Sequence, residues 1–348
     1  FFEAYFPITL NVDPQSYPDL SNQDSSKIAK KIISKFIETI PDSAFLIIKE
    51  HCKLFESKNG PIFQEVICTF VSIIITFCNI ENIDELLSDL YDQLDDQEKA
   101  QPESFSELII QIILPLLSSS SSHLINAALD LIQSIISRDE LKNRLDSSFA
   151  TFFIENLPTF FEDGHFIAAT ACNTICQLVE LLKNLDELSQ VDLVLVVNTL
   201  IQYFDCNDQY FSFSIAECVI SILNFLDVFQ FQEVFGSFLQ VFGSLLESQM
   251  YDQNAEDIIY VFGKICKTAR SLSNSSGGEF NCSDLFNDIF ENLYQMIIEK
   301  FNQTLENKFL YALSYLGCAA TDLFDKKLEN YLSFLYERTN CFLHLQDD

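Results

Sequence analysis

The stretch LPTFFEDGHFIAATAC, Leu157–Cys172, decides the fold. A Leu-Pro pair closes one apolar pattern, a polar corner follows at Glu162–Gly164, and a second, alanine-rich pattern runs from His165 to Glu180. Proline lacks the amide hydrogen and crowds the preceding turn, so it stops a helix, and glycine serves the corner. The layout is then written again. Leu193–Phe204 is a first helix, Asp205–Asp208 a corner, and FSFSIAECVISILNFL, Phe211–Leu226, a second helix. A single hairpin of this kind cannot bury its apolar faces alone, so hairpins must stack on a shared core.

Working outward, the same layout accounts for most of the chain. Ile28–Ile40 with Phe45–Phe55, Ile62–Asn79 with Asn82–Leu94, and Phe105–Leu117 with Leu124–Ser137 read as three earlier hairpins. Pro41-Asp42-Ser43 is the turn of the first, with an N-cap residue beside the proline. A small or apolar position recurs in what reads as the second helix of each pair, at Ile48, Leu87, Ala128, Ala171, Ala216, Ile259 and Ala312, with steps of 39, 41, 43, 45, 43 and 53 residues. The long last step contains SLSNSSGG, Ser271–Gly278, which reads as a flexible insertion. The expected fold is all-α, an α-solenoid of about seven antiparallel helix pairs.

The expected organisation is a single array over 1–348: a partial helix and loop in 1–26, repeats in 27–270, the insertion in 271–281 and terminal repeats in 282–348. The chain opens at Phe1 rather than Met and is read as a fragment of a longer protein. Val66–Ile80 is the most apolar run, but it is shorter than the ~20 residues a membrane span needs and is flanked by Gln64-Glu65 and Glu81, which predicts a helix buried on most sides.

Charge narrows the partners. There are 51 Asp and Glu against 20 Lys and Arg, a net charge of -31, so phosphate backbones and anionic lipid heads are repelled and basic partners attracted. Direct nucleic-acid binding is not expected. The 11 cysteines are scattered through apolar helical patterns and read as small core residues of a reducing compartment. Cys172 and Cys176 lie one helical turn apart without a Cys-x-x-Cys or a His pair beside them, so packing outweighs metal binding. Phosphate-loop, zinc-protease and nucleophile-elbow motifs are absent, and the four histidines are far apart in sequence. Neither an enzyme nor a cofactor is expected.

The candidate binding residues lie in ENIDELLSDLYDQLDDQE, Glu81–Glu98. Read as a helix, it places Ile83, Leu86, Leu87, Leu90 and Leu94 on one face and Glu81, Glu85, Asp89, Asp92 and Asp96 along another. Like charges spaced 4, 4, 3 and 4 residues apart repel one another, and a basic peptide relieves that repulsion. The competing reading is a solvated outer face.

The segments Leu157–Cys172, Leu114–Leu117 and Asn126–Leu129 resemble the HEAT consensus, in which Leu-Pro ends the first helix and an alanine-rich second helix packs closely. The repeat steps also suit the ~40–47-residue period of HEAT and armadillo repeats. The consensus basic residue before the alanine-rich run is missing. Val228–Thr268, with its Phe-rich first helix and the corner Glu247–Asn254, resembles the C-terminal repeats of importin-β-type karyopherins. That resemblance implies a nuclear transport receptor of cytoplasm and nucleus, wrapping basic cargo on an acidic surface, binding the GTPase Ran and touching Phe-Gly nucleoporins. The alternative within the superfamily is a structural scaffold, such as a phosphatase regulatory subunit or a chromosome-organising protein.

Overall fold

The computed structural model describes residues 31–32, 34–35, 37–52, 61–93, 101–162, 165–205, 209–247, 255–275, 280–304 and 306–344. The partial helix and loop expected in 1–26, together with Leu94, Asp96 and residues 276–278 of the expected insertion, lie outside this set. All regular structure among the described residues is helical, and the fold is all-α, of the α-solenoid class. Contacts divide the chain into two compact units, Phe1–Val191 and Asp192–Asp348.

Unit 1 contains α1 (Pro41–His51), α2 (Pro61–Phe77), α3 (Ile80–Asp92), α4 (Phe105–Leu117), α5 (Ser122–Ser137), the short α6 (Asp139–Lys142), α7 (Ser147–Asn156) and α8 (His165–Asn184). The helices form two rows. α2, α5 and α8 pack side by side in one, while α1, α3, α4 and α7 follow one another in the other. Pairs α1/α2, α4/α5 and α7/α8 join the rows.

This corrects the expected pairing at the start. Ile62–Asn79 is not the first helix of a pair with Asn82–Leu94. It belongs to the same row as α5 and α8, and α3 is an additional helix beside α4. The reason is visible in α2: Val66, Ile67, Cys68, Val71, Ile74 and Ile75 are all buried, so the helix is apolar on more than one side and takes a position with neighbours on several sides. The buried-helix reading of Val66–Ile80 holds for its first part, but α2 ends at Phe77 with Thr76 and Phe77 exposed, and Ile80 opens α3. Ile48 and Leu87, though buried, therefore mark the row of α1, α3, α4 and α7, whereas Ala128 and Ala171 mark the other.

Unit 2 repeats the plan with α9 (Leu193–Gln202), α10 (Gln209–Leu223), α11 (Val228–Glu247), α12 (Ala255–Ser275), the short α13 (Cys282–Phe286), α14 (Phe290–Thr304), α15 (Lys308–Ala319), the short α16 (Thr321–Phe324) and α17 (Leu328–His344). α9, α11 and α14 make one row and α10, α12 and α15 the other. Phenylalanine fills much of the space between them: Phe242 stacks on Phe262 with centroids 4.3 Å apart, and Phe235 meets Phe286 edge-on at 5.1 Å. The expected insertion at Ser271–Gly278 is helical as far as Ser275; α12 simply runs on past its buried stretch.

Helix starts are set by side-chain oxygens that satisfy otherwise unpaired amides. Ser104 accepts from the Glu107 amide at 3.1 Å while Glu107 accepts from the Glu103 amide at 2.7 Å. Asp227 accepts from the Gln230 amide at 2.9 Å and Gln230 returns by accepting from the Asp227 amide at 3.0 Å, a capping box. Pro41 occupies the first turn of α1 after an Ile40 cap, so Pro41-Asp42-Ser43, expected as a turn, is the start of the helix itself.

Two arginines close helix ends across a row. Arg138, at the end of α5, donates to the Ile75 and Cys78 carbonyls at the end of α2, and Arg270 of α12 donates to the Cys318 carbonyl near the end of α15 at 3.1 Å. Each places a cation where the final carbonyls and the helix dipole concentrate negative charge.

Two stability outcomes follow from this packing. Ala171 is fully buried in the row of α5 and α8, so Ala171→Leu should overpack it and cost about 1–3 kcal/mol in chemical denaturation. α8 ends in a Schellman turn, with Glu187 donating to the Leu182 carbonyl at 3.0 Å and Asp186 to that of Lys183 at 3.1 Å, and with Asp186 left-handed at φ 59°. Asp186→Gly should therefore raise stability by up to ~1 kcal/mol, and a fall would show that the aspartate side chain holds the turn.

Candidate functional site

The expected acidic stripe is carried by α3. Asn79 fixes the helix start by accepting from the Asn82 amide at 2.8 Å. From that start Ile83, Leu86, Leu87 and Leu90 all turn into the core. Glu81, Glu85 and Asp92 are left exposed and Asp89 half-buried, so four of the five expected acids share one helix.

Two cations from elsewhere in unit 1 meet this helix. Lys49 of α1 forms an ion pair with Glu85, and Arg144 pairs with Asp84 at 2.6 Å while its guanidinium lies 4.0 Å from the centre of the Phe105 ring. The hydrogen bond from Lys49 to Glu85 holds the ammonium above the usual lysine range. Burial pushes the Asp89 carboxyl above the ordinary aspartate value; Lys49 opposes the rise, and Glu85 and Asp92 add to it. Glu81 and Glu85 are both exposed and Glu85 is answered by Lys49, so the face is a row of carboxylates partly answered from within.

A second surface lies in unit 2 and has no counterpart in the sequence reading. Between α12 and α15 runs a groove of ≈ 680 Å³, lined by Glu256, Ile259, Tyr260, Glu306, Tyr311 and Tyr315, among others. Tyr311 is 62% exposed and Tyr260 39%. Tyr315 lies against Gly263 so closely that a Cβ there would fall 2.6 Å from its ring, which makes this glycine the reason the ring can sit on the α12 backbone. Glu306 is paired with Lys308 at 2.6 Å, and Lys264 stands 5.2 Å from the centre of the Tyr260 ring. Tyr260 and Tyr311 adjoin the repeat positions Ile259 and Ala312.

The four histidines stand on separate helices, His51 on α1, His123 on α5, His165 on α8 and His344 on α17. Cys172 and Cys176 lie on α8, the first buried and the second half-buried. Among the described residues no group of three or more His, Cys, Asp or Glu side chains is arranged to hold a metal ion, and no helix is long and apolar enough to cross a membrane.

No protein-family model matches the chain, and no curated protein matches it. Among solved structures, an engineered protein is similar at a TM-score of 0.42 and 12% identity, covering 90% of this chain and 78% of its own. A designed armadillo repeat protein is similar at 0.35 and 12% identity, over 72% of this chain and 98% of its own. A second engineered protein gives 0.29 and 12%, over 92% and 96%.

Since Lys49 opposes the upward shift of Asp89, Lys49→Met should move the Asp89 titration still higher, as followed by carboxyl NMR. A midpoint that stays put would mean that Lys49 and Asp89 do not interact in solution.

Proposed function

We propose that the chain is a protein-binding scaffold whose α3 face, Glu81, Glu85, Asp89 and Asp92, takes basic protein or peptide segments, with Asp96 the fifth acid of the expected stripe. The observation that carries this reading is the exposure of Glu81, Glu85 and Asp92 on one helix of a chain with net charge -31. A basic segment gains charge-assisted hydrogen bonds there and displaces Lys49 from Glu85. Exposed ion pairs contribute little to stability, so such an exchange costs little.

Within that class, the finer reading is a nuclear transport receptor of the importin-β type, with Ran and Phe-Gly nucleoporins as further partners and cytoplasm and nucleus as its compartments. It is supported by the resemblance of Val228–Thr268 to karyopherin repeats and by the acidity of the chain. A structural scaffold is the second reading, favoured by the internal pairing of Glu85 with Lys49 and of Asp84 with Arg144, which neutralises part of the face.

A lysine-rich peptide separates the two. Under the first reading its affinity falls steeply with added salt, because exposed charges are screened over ~8 Å at physiological ionic strength. Reversing Glu85, Asp89 and Asp92 to Lys should weaken binding about tenfold or more while the helical circular-dichroism signal is kept. Unchanged binding by the triple variant at low salt would establish the α3 face as a solvated surface and favour the structural scaffold.

A further inference from the structure

The groove between α12 and α15 joins three features that point to one kind of ligand. Its walls carry two exposed tyrosine rings, Tyr260 on α12 and Tyr311 on α15. Glu256, exposed in the first turn of α12, makes no ion pair among the described residues, and the second lining carboxylate, Glu306, is held by Lys308. Tyr315 closes the groove against Gly263, where any larger residue would collide with the ring. The volume of ≈ 680 Å³ falls within the ~300–1,000 Å³ range of ligand pockets.

The wider surroundings are acidic as well. Asp257, the next residue, is half-buried, its carboxyl pushed up first by burial, with Ser212 opposing the rise and Glu256 and Glu217 of α10 adding to it. Of the charged residues that line the groove itself, Glu256 and Glu306 are acidic and Lys308 is basic. Lys308, which lines the groove, is engaged with Glu306, and Lys264 stands over Tyr260. The contact of Lys264 with Tyr260 also shows that this ring accepts a cation on a face.

We infer that this groove binds an arginine side chain presented by a basic protein segment, its guanidinium lying against Tyr260 and Tyr311 and paired with Glu256. Arginine suits it better than lysine for physical reasons. A guanidinium is planar and weakly hydrated, stacks on aromatic rings and meets a carboxylate through two parallel N–H donors, whereas an ammonium is a compact, strongly hydrated point charge. Where the α3 stripe reads charge alone, the groove reads the shape of the cation. The inference rests on the proposal that the chain binds basic segments and adds to it a second, arginine-selective site in unit 2.

The test uses the full chain and two fluorescein-labelled peptides of one sequence, Gly-Ser-Xaa-Ser-Xaa-Ser-Gly, with Xaa arginine or lysine, measured by anisotropy. The arginine peptide should bind about tenfold tighter. Tyr260→Ala with Tyr311→Ala, two substitutions at exposed positions, should bring it to the affinity of the lysine peptide, and Glu256→Gln should weaken it without removing all selectivity. The α3 triple reversal should leave the arginine-to-lysine ratio unchanged. Equal affinity of the wild type for the two peptides, or selectivity that survives loss of both tyrosines, overturns the groove assignment. Neither result touches the α3 reading, which is decided by the lysine-rich peptide and the triple reversal; conversely, arginine selectivity that persists when the triple reversal has no effect on lysine-rich peptides upholds the groove alone.

Discussion

Close approach of neighbouring helices within a row is the constraint on which each unit depends. Ala128, Ala171, Ala216 and Ala312 are all fully buried in the rows of α5 and α8 and of α10, α12 and α15. A small side chain lets two helices come near enough for the larger residues around it to interlock, and native packing density leaves no slack for a longer one. Gly263 extends the same logic, since it accepts a tyrosine ring where even a methyl group would collide. With the approach fixed, phenylalanine fills the space between rows, and rings such as Phe238, Phe242 and Phe262 lie nearly parallel. Surface properties are then consequences of row membership: each helix turns outward only what its neighbours do not cover.

The scarcity of cations gives the acidic surface its character. Several of the 20 basic residues are engaged within the protein, Arg138 and Arg270 on helix carbonyls, Arg144 on Asp84, Lys49 on Glu85 and Lys327 on Glu291. A positively charged visitor therefore meets two different situations. At α3 it must compete with Lys49, whereas Glu256 has no internal counterion to displace among the described residues.

Much of the fold was legible because the chemistry that ends a helix is local. Asp192 and Asp227 mark boundaries through bonds made within a few residues, Pro158 stands just past the end of α7 where its missing amide hydrogen is not needed, and the alanine positions from Ala128 onward fall in the core as their spacing predicts. Assignment to rows was not legible at the start of the chain, because periodicity says that a helix has an apolar face but not which helix covers it. α2 and α3 follow one another through a short turn and look like a pair, yet α2 is covered chiefly by α5. Ser271–Ser275 carried loop composition, and α12 extends through it nonetheless, since serine and asparagine disfavour a helix only weakly once it is under way. For the candidate sites, the carboxylates of α3 could be read from spacing, but Lys49, 36 residues before Glu85, could not. Tyrosines of the groove resemble any surface tyrosine until α12 and α15 are set side by side.

The bonds from Arg138 to the end of α2 span 63 and 60 residues of chain. Closing a loop of that length carries an entropy cost that grows only with the logarithm of its size, and the packing of α5 on α2 meets that cost together with these bonds. Amide exchange at Ile75 to Cys78 reports the integrity of the whole α2–α5 interface rather than of α2 alone, because the same guanidinium must leave before the turn can open.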